Sequence, residues 1–383
     1  MLRRASTLCL IALVGIAGPA ASAQDAPVCP SMDARTAWTA AIDRLVDSVK
    51  RANPAIPGVV IAIESPSRCL LYTAVAGVRD IVSQAPLQKG DVFRQASIMK
   101  TYVAAAILRL VEDGKLRLDD PIAKYLTEET SGALRAGSYD PTKITIRQLL
   151  THTSGIFDHT TAPEYFERIH KDPTHRWSRL EQVEFGSARG KPYGAPGELF
   201  HYSDTGYVLL GEIIEMKTTD LLGPSVKRLA RMTREEFPHT WQESVESPPA
   251  GVERAHQYQG EMDMYGVDAS IDLYGGGGFV APEHEVAHFY LRLLTGKVFK
   301  KPATLELMLT LVVSPTQESY RAGIAQLEMD GTKGWGHSGY WNTFGGYFPS
   351  LDVAMAGSFT STRPGAFHRA VGRELVRIFA TTR

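Results

Sequence analysis

Ser97 and Lys100 are the chain's one serine–lysine pair at a spacing of three. Thr101 to Gly114 reads as a helix that begins at about this point and is ended by Gly114. On a helix, positions i and i+3 share a face, so the Lys100 ammonium is expected within reach of the Ser97 hydroxyl. A free serine is a poor nucleophile because it holds its proton tightly at neutral pH. A neighbouring lysine changes that, either as a base or as a field that assists another base. A helix N-terminus adds a dipole and free N–H donors where an oxyanion would form. S-x-x-K alone is a common chance pattern, so the downstream residues must decide.

Two downstream segments offer partners. Glu198-Leu-Phe-His-Tyr202-Ser203-Asp204-Thr-Gly-Tyr207 reads as a loop before a helix, and His337-Ser338-Gly339 as part of a strand. Two other motifs compete. His284-Glu285-Val286-Ala287-His288 matches H-E-x-x-H, which would set two imidazoles on one helical face with a glutamate as base. No third ligand follows at a familiar spacing, so a zinc metallopeptidase is the weaker reading. Gly336-His337-Ser338-Gly339 begins a G-x-S-x-G elbow, but Tyr340 stands in the fifth place. The run Gly275 to Gly278 lacks a following G-K-S/T, so it reads as close backbone packing rather than a phosphate cradle.

The elements that must position these groups fall into three stretches. Asp33 to Lys50 is amphipathic, with Trp38, Ile42, Leu45 and Val49 on one face. Strand-like runs follow at Val59–Ile63 and Cys69–Ala76, with Pro66-Ser67 at the turn. From about Phe93 the texture is helical: Thr101–Val111, Ile146–Leu150, Tyr207–Lys217 and Pro282–Thr295. Strand texture returns at Gly334–Trp341, Thr343–Phe348 and Val353–Thr360. A last helix, Ala366–Ala380, carries Phe367, Val371, Leu375 and Ile378 on one face. Consecutive strands at each end predict an antiparallel sheet flanked by terminal helices, with a large helical region inserted between the strands: a mixed α/β (α+β) fold. The division is 24–92 with 325–383 for the sheet part, and 93–324 for the helical part.

Composition excludes several classes. With 383 residues, 44% hydrophobic and a net charge of −1, the chain has nothing that argues for nucleic acid or an anionic membrane surface. Arg3 and Arg4, the apolar run Leu8–Ala17, and Ala21-Ser22-Ala23 read as a cleaved export signal over residues 1–23. A secreted or periplasmic protein with no stable membrane span after cleavage is the expectation. Cys29 and Cys69 then remain, either as a disulfide suited to an oxidising compartment or as two partly buried thiols.

Taken in order, the S-x-x-K, Tyr202-Ser-Asp204 and His337-Ser-Gly339 segments resemble the penicillin-recognising serine hydrolases, in their class C β-lactamase-like branch. That branch includes D,D-carboxypeptidases, D-aminopeptidases and esterases. Asp113-Gly-Lys-Leu116, Leu149-Leu-Thr-His-Thr-Ser-Gly155 and Gly194-Ala-Pro-Gly197 add to the resemblance, which covers roughly residues 35–380. It implies a Ser97 acyl-enzyme, with Tyr202 moving the proton and Lys100 tuning it. It implies substrate contacts at Asp204, His337 and Gly339, and an oxyanion hole from the backbone N–H groups of Ser97 and Tyr340. No metal or organic cofactor is implied, and the partner is a small molecule or short peptide. Which of Lys100 and Tyr202 holds the proton at rest is a coupled question that stays open here.

Two departures stand out. Asp204 takes the place of the usual asparagine, so it changes substrate preference, caps the following helix, or does both. His337 replaces the lysine of K-T-G, as a substrate contact or a structural histidine. A small ester, or a D-amino-acid amide or peptide, is therefore expected over a β-lactam. The alternative is a penicillin- or peptidoglycan-binding protein without turnover.

Overall fold

The computed structural model describes residues 29–362 and 367–381, so the export-signal reading over residues 1–23 lies outside the described residues. Helix α1 (Met32–Ala52) packs on a six-stranded antiparallel sheet built from both ends of the chain. Its strands are β1 (Gly58–Ser65), β2 (Leu70–Gly77), β3 (Ala325–Met329), β4 (Thr332–Ser338), β5 (Phe344–Phe348) and β6 (Val353–Phe359), in the order β2-β1-β6-β5-β4-β3. Val59, Ile61 and Ile63 alternate onto the face covered by α1 and the C-terminal helix (Phe367–Thr381). Trp38, Ile42, Val46 and Val49 meet Leu375, Val376 and Phe379 there. The period-2 strand pattern and the period-3.6 helix pattern thus agree on one core.

The other sheet face is covered by the helix Glu283–Leu294, behind which lies the larger core. At its centre is α2 (Met99–Glu112), buried from Met99 through Leu110. A helix apolar on all sides belongs in the interior, and here it carries the nucleophile's turn at its head. Helices Asp204–Thr218 and Leu222–Leu229 pack in the same cluster.

Several expectations shift. The strand read as Gly334–Trp341 ends at Ser338, because Gly339 N–H bonds Thr343 O at 2.8 Å and Asn342 adopts φ +56° in a tight turn. Strand β3 and the helices Glu128–Ala136, Pro163–Lys171 and Arg179–Arg189 have no counterpart in the sequence reading. A three-stranded sheet of Phe93–Arg94, Phe279–Ala281 and Trp241–Gln242 lies within the part expected to be helical. Cys29 and Cys69 form a disulfide, with Cα atoms 5.5 Å apart, joining the start of the described chain to the edge of the sheet.

Candidate active site

Ser97 sits on a single 3₁₀ turn (Ala96–Ile98) that runs straight into α2. The turn is pinned from three sides through Gln95. Its N–H bonds Phe279 O at 2.9 Å, and its side-chain amide donates to Ala281 O (3.0 Å) and Glu283 Oε1 (3.2 Å). Its carbonyl accepts from Thr343 Oγ1 at 3.0 Å. Ala96 is thereby held at φ +47°, a left-handed conformation that costs an alanine about 1–2 kcal/mol. Gly339 closes the seat. A Cβ there would fall 2.2 Å from Thr343 Oγ1 and 2.5 Å from Gln95 O, so only glycine lets the strand end meet the serine's turn. Gly339 thus lets the strand end approach the serine's turn closely.

Lys100 is 0% exposed, with two hydrogen bonds and one ion pair on its ammonium. They reach Ser97 Oγ (2.9 Å), Gly276 O (2.8 Å) and Asp204 Oδ1 (2.5 Å). Burial alone would push the ammonium down, but the Asp204 carboxylate against it overcomes that and holds the group above its ordinary range. Burial holds the Tyr202 phenol above its usual value, against the pull of Lys100 and of hydrogen bonds with Ser97 and Lys100. At neutral pH the site therefore rests with Lys100 charged and Tyr202 neutral. Asp204 is the first residue of its helix, Ser203 is the N-cap, and the Asp204 carboxylate is spent on Lys100 rather than on capping.

Tyr202 leans on a second buried chain. Its ring lies 4.1 Å from His152 and 6.3 Å from His337, centroid to centroid. His152 Nδ1 accepts the Ser203 N–H at 3.0 Å, so the ring's other nitrogen carries the hydrogen and meets Tyr320 Oη at 3.2 Å. Tyr320 Oη then lies 3.1 Å from His337 Nε2, whose Nδ1 meets Ser338 O at 2.7 Å. Along this row each hydrogen points toward the sheet. Burial, then the Lys100 charge, pushes His337 down to about 4, so its imidazole is neutral at pH 7. A neutral ring lacks the charge with which an ammonium at this place would hold a carboxylate.

Two cavities flank this centre. One, of ≈ 140 Å³, is walled by Ser97, Asp204, Asp272, Tyr165, Phe166, Tyr340 and Trp341, among others. The other, of ≈ 220 Å³, runs from Tyr202, Tyr320 and His337 beneath the C-terminal helix, between Leu327, Phe348 and Gly345. Asp272 lies against the glycine run, where a Cβ at Gly277 would fall 2.0 Å from its carboxylate. Burial, then the Asp204 charge, raises Asp272 to about 8. Buried Asp158, close enough to Asp204 to feel its charge, is raised to about 7. Among the described residues, the backbone N–H groups of Ser97 and Tyr340 have no backbone acceptor, as an oxyanion hole needs.

The structure thus gathers Ser97, Lys100, Tyr202, Asp204, His337, Gly339 and Tyr340 at one place. It separates the H-E-x-x-H residues. His288 turns to Glu64 (2.9 Å) while His284 faces Glu285, so this glutamate and two imidazoles do not form the zinc-peptidase face of the weaker reading. Sequence reasoning missed Gln95, Asp272 and Tyr320, and gave His152 no role. His152 alone left a trace, inside the quoted Leu149–Gly155 stretch.

Residues 40–378 match the sequence profile of a family described as Beta-lactamase. Esterase EstB of Burkholderia gladioli is 34% identical over 130 residues, 34% of this chain and 32% of that protein. The chain thus spans about a third of that relative's length. Beta-lactamase-like protein str5 of Strobilurus tenacellus is 32% identical over 193 residues, 45% of this chain and 68% of that protein. The crystal structure of a D-stereospecific amidohydrolase from Streptomyces sp. superposes with a TM-score of 0.72 at 25% identity, covering 90% of this chain and 97% of that one. D-amino acid amidase from Ochrobactrum anthropi SV3 superposes at 0.71 and 22% identity, covering 92% and 100%.

Proposed function

The chain belongs to the beta-lactamase family, and from that premise we propose that it is an exported serine hydrolase that cleaves small esters or amides bearing a cationic amine, D-amino-acid amides and esters foremost. One observation carries the reading: Ser97, bonded to Lys100, opens into an aromatic cleft whose wall holds two carboxyl groups, Asp204 and Asp272. An ammonium bound there gains a charge partner and aromatic faces. The names of the amidohydrolase and amidase relatives support the same substrate class. The neutral His337 argues against substrates that need a cation for their own carboxylate, including β-lactams. The disulfide and the N-terminal signal pattern support export.

The chemistry follows the proton inventory. In the fraction of sites whose Tyr202 proton has been released to solvent, Ser97 Oγ attacks the carbonyl carbon and passes its proton to the Tyr202 phenolate. The developing oxyanion sits on the Ser97 and Tyr340 N–H groups. Tyr202 returns the proton to the departing amine or alkoxide, and water then repeats the sequence on the Ser97 ester. At rest, the negative charge of Asp204 opposes ionisation of Tyr202. A substrate ammonium against Asp204 offsets that charge, so an amine-bearing substrate favours its own attack. The apolar cavity beside Tyr202 suits the departing group.

The test compares kcat/KM for a D-amino-acid p-nitroanilide, its L-isomer and its N-acetyl form. The free D-amine is expected to lead the N-acetyl form by at least about tenfold, one lost charge-assisted contact. Its advantage should shrink as pH rises past about 8, where the substrate's own α-amine loses its proton. Equal rates for the free and acetylated amines would sink the amine reading.

A further inference from the structure

The H-E-x-x-H stretch does not serve Ser97, yet its first two residues converge with a third that is remote in sequence. His239 Nδ1 lies 3.2 Å from Glu285 Oε1, and His284 Nε2 lies 4.0 Å from the same oxygen. One ligand atom from each of His239, His284 and Glu285 falls within a 4.8 Å cluster, the group able to hold a metal ion among the described residues. Nitrogen and oxygen ligands at zinc distances sit about 3.4 Å apart in a tetrahedron, so the two separations bracket that value. We propose that His239, His284 and Glu285 form a zinc site with its fourth position open to water, distinct from the Ser97 centre and clamping the Trp241–Gln242 strand to the helix Glu283–Leu294.

The carboxylate is already fixed. Glu285 is 2% exposed, and it accepts the backbone N–H of His239 at 2.9 Å and the Thr240 hydroxyl at 2.6 Å. Outer hydrogen bonds of this kind orient a ligand and raise its affinity. The two imidazoles are part-exposed at 42% and 36%, so a dissolved ion can reach them. The spacing identifies the motif's members but misassigns their roles. Glu285 is a ligand rather than a base, and His239 replaces His288. The clamp has mechanical sense. Trp241 pairs with Val280, whose strand pairs with Phe93–Arg94, and Gln95 follows to hold the Ser97 turn.

The experiment is calorimetric titration of EDTA-stripped full-length protein with Zn²⁺, alongside metal analysis after gel filtration. One ion per chain is expected, with a rise in the thermal midpoint. His239→Ala and His284→Ala should each abolish both, and His288→Ala should leave binding within twofold. Thr240→Val, which keeps all three ligands, should weaken binding by about tenfold. The stripped protein should keep its Ser97-dependent ester turnover. The proposal is overturned by less than one bound ion per chain, by binding that survives His239→Ala and His284→Ala together, or by loss of all turnover on stripping.

Discussion

Lys100 and His337 both stand beside the Tyr202 ring, 5.1 Å and 6.3 Å from its centre, and only one of them is charged. The helical wall gives Lys100 a carboxylate, Asp204, and a backbone carbonyl, so its ammonium survives burial. On the sheet wall, burial and the Lys100 charge keep the His337 ring neutral against the pull of the Ser338 carbonyl. Burial works the same way on both; the partner decides the sign. The site therefore keeps its fixed positive charge behind the nucleophile and leaves the strand side neutral. On the proposed reading, charge recognition passes to the acidic wall of the cleft, where Asp204 and Asp272 stand.

Ser97→Ala breaks the site without touching this division. Turnover of every substrate is expected to fall to background while the thermal midpoint stays within about 1 °C, a surface-like change. Lys100→Met breaks the charged half. It should cost about 10³-fold or more in kcat and, by leaving Asp204 unpaired, about 3–5 kcal/mol of stability by denaturant melts. Adding Asp204→Asn should return most of the stability and none of the rate, which separates folding from chemistry.

Asp204→Asn alone sharpens the comparison. Removing a negative charge beside Tyr202 lowers the phenol's pKa, so the rising limb of the pH–rate profile should move to lower pH by about one unit. Neutral esters should gain at pH 7 and amine substrates should lose. His337→Lys tests the neutral half. A cation restored on the strand should lower KM several-fold for substrates that end in a carboxylate, read by steady-state kinetics. The smallest effect is on stability in acid. His159 and His337, both pushed to about 4, are neutral in the fold, while the unfolded chain takes up protons below about 6.5. Their contribution is present above about pH 6.5 and is lost as pH falls toward 4, so His337→Gln should flatten the decline of the thermal midpoint over that window.

Much of this was legible in one dimension. Helix and strand periodicities located both ends of the sheet, and the resemblance brought Ser97, Lys100, Tyr202 and His337 together across 240 residues. What escaped reading depends on tertiary neighbours. The state of Lys100 is set by Asp204 and by the Gly276 carbonyl, whose approach no spacing announces. Asp272 is an ordinary aspartate until the glycine run makes room for it. Gln95 looks like a linker residue until three separate elements bond to it. The strand at Gly334 ran too long on paper because alternation continues past Ser338, and the Asn342 turn ends it. The disulfide stood level with two thiols until the Cα atoms were seen 5.5 Å apart.

The central claim is that Ser97 is acylated while Lys100 stays charged and Tyr202 carries the proton. Its most direct test is intact-protein mass spectrometry, with peptide mapping, after quenching the enzyme with a fluorophosphonate or a p-nitrophenyl ester, alongside Tyr202→Phe. The account predicts one adduct per chain on the Ser97 peptide. It also predicts that Tyr202→Phe acylates and deacylates slower by two or more orders of magnitude. Near-full rates in Tyr202→Phe, or steady hydrolysis with an adduct elsewhere or none at all, would contradict it.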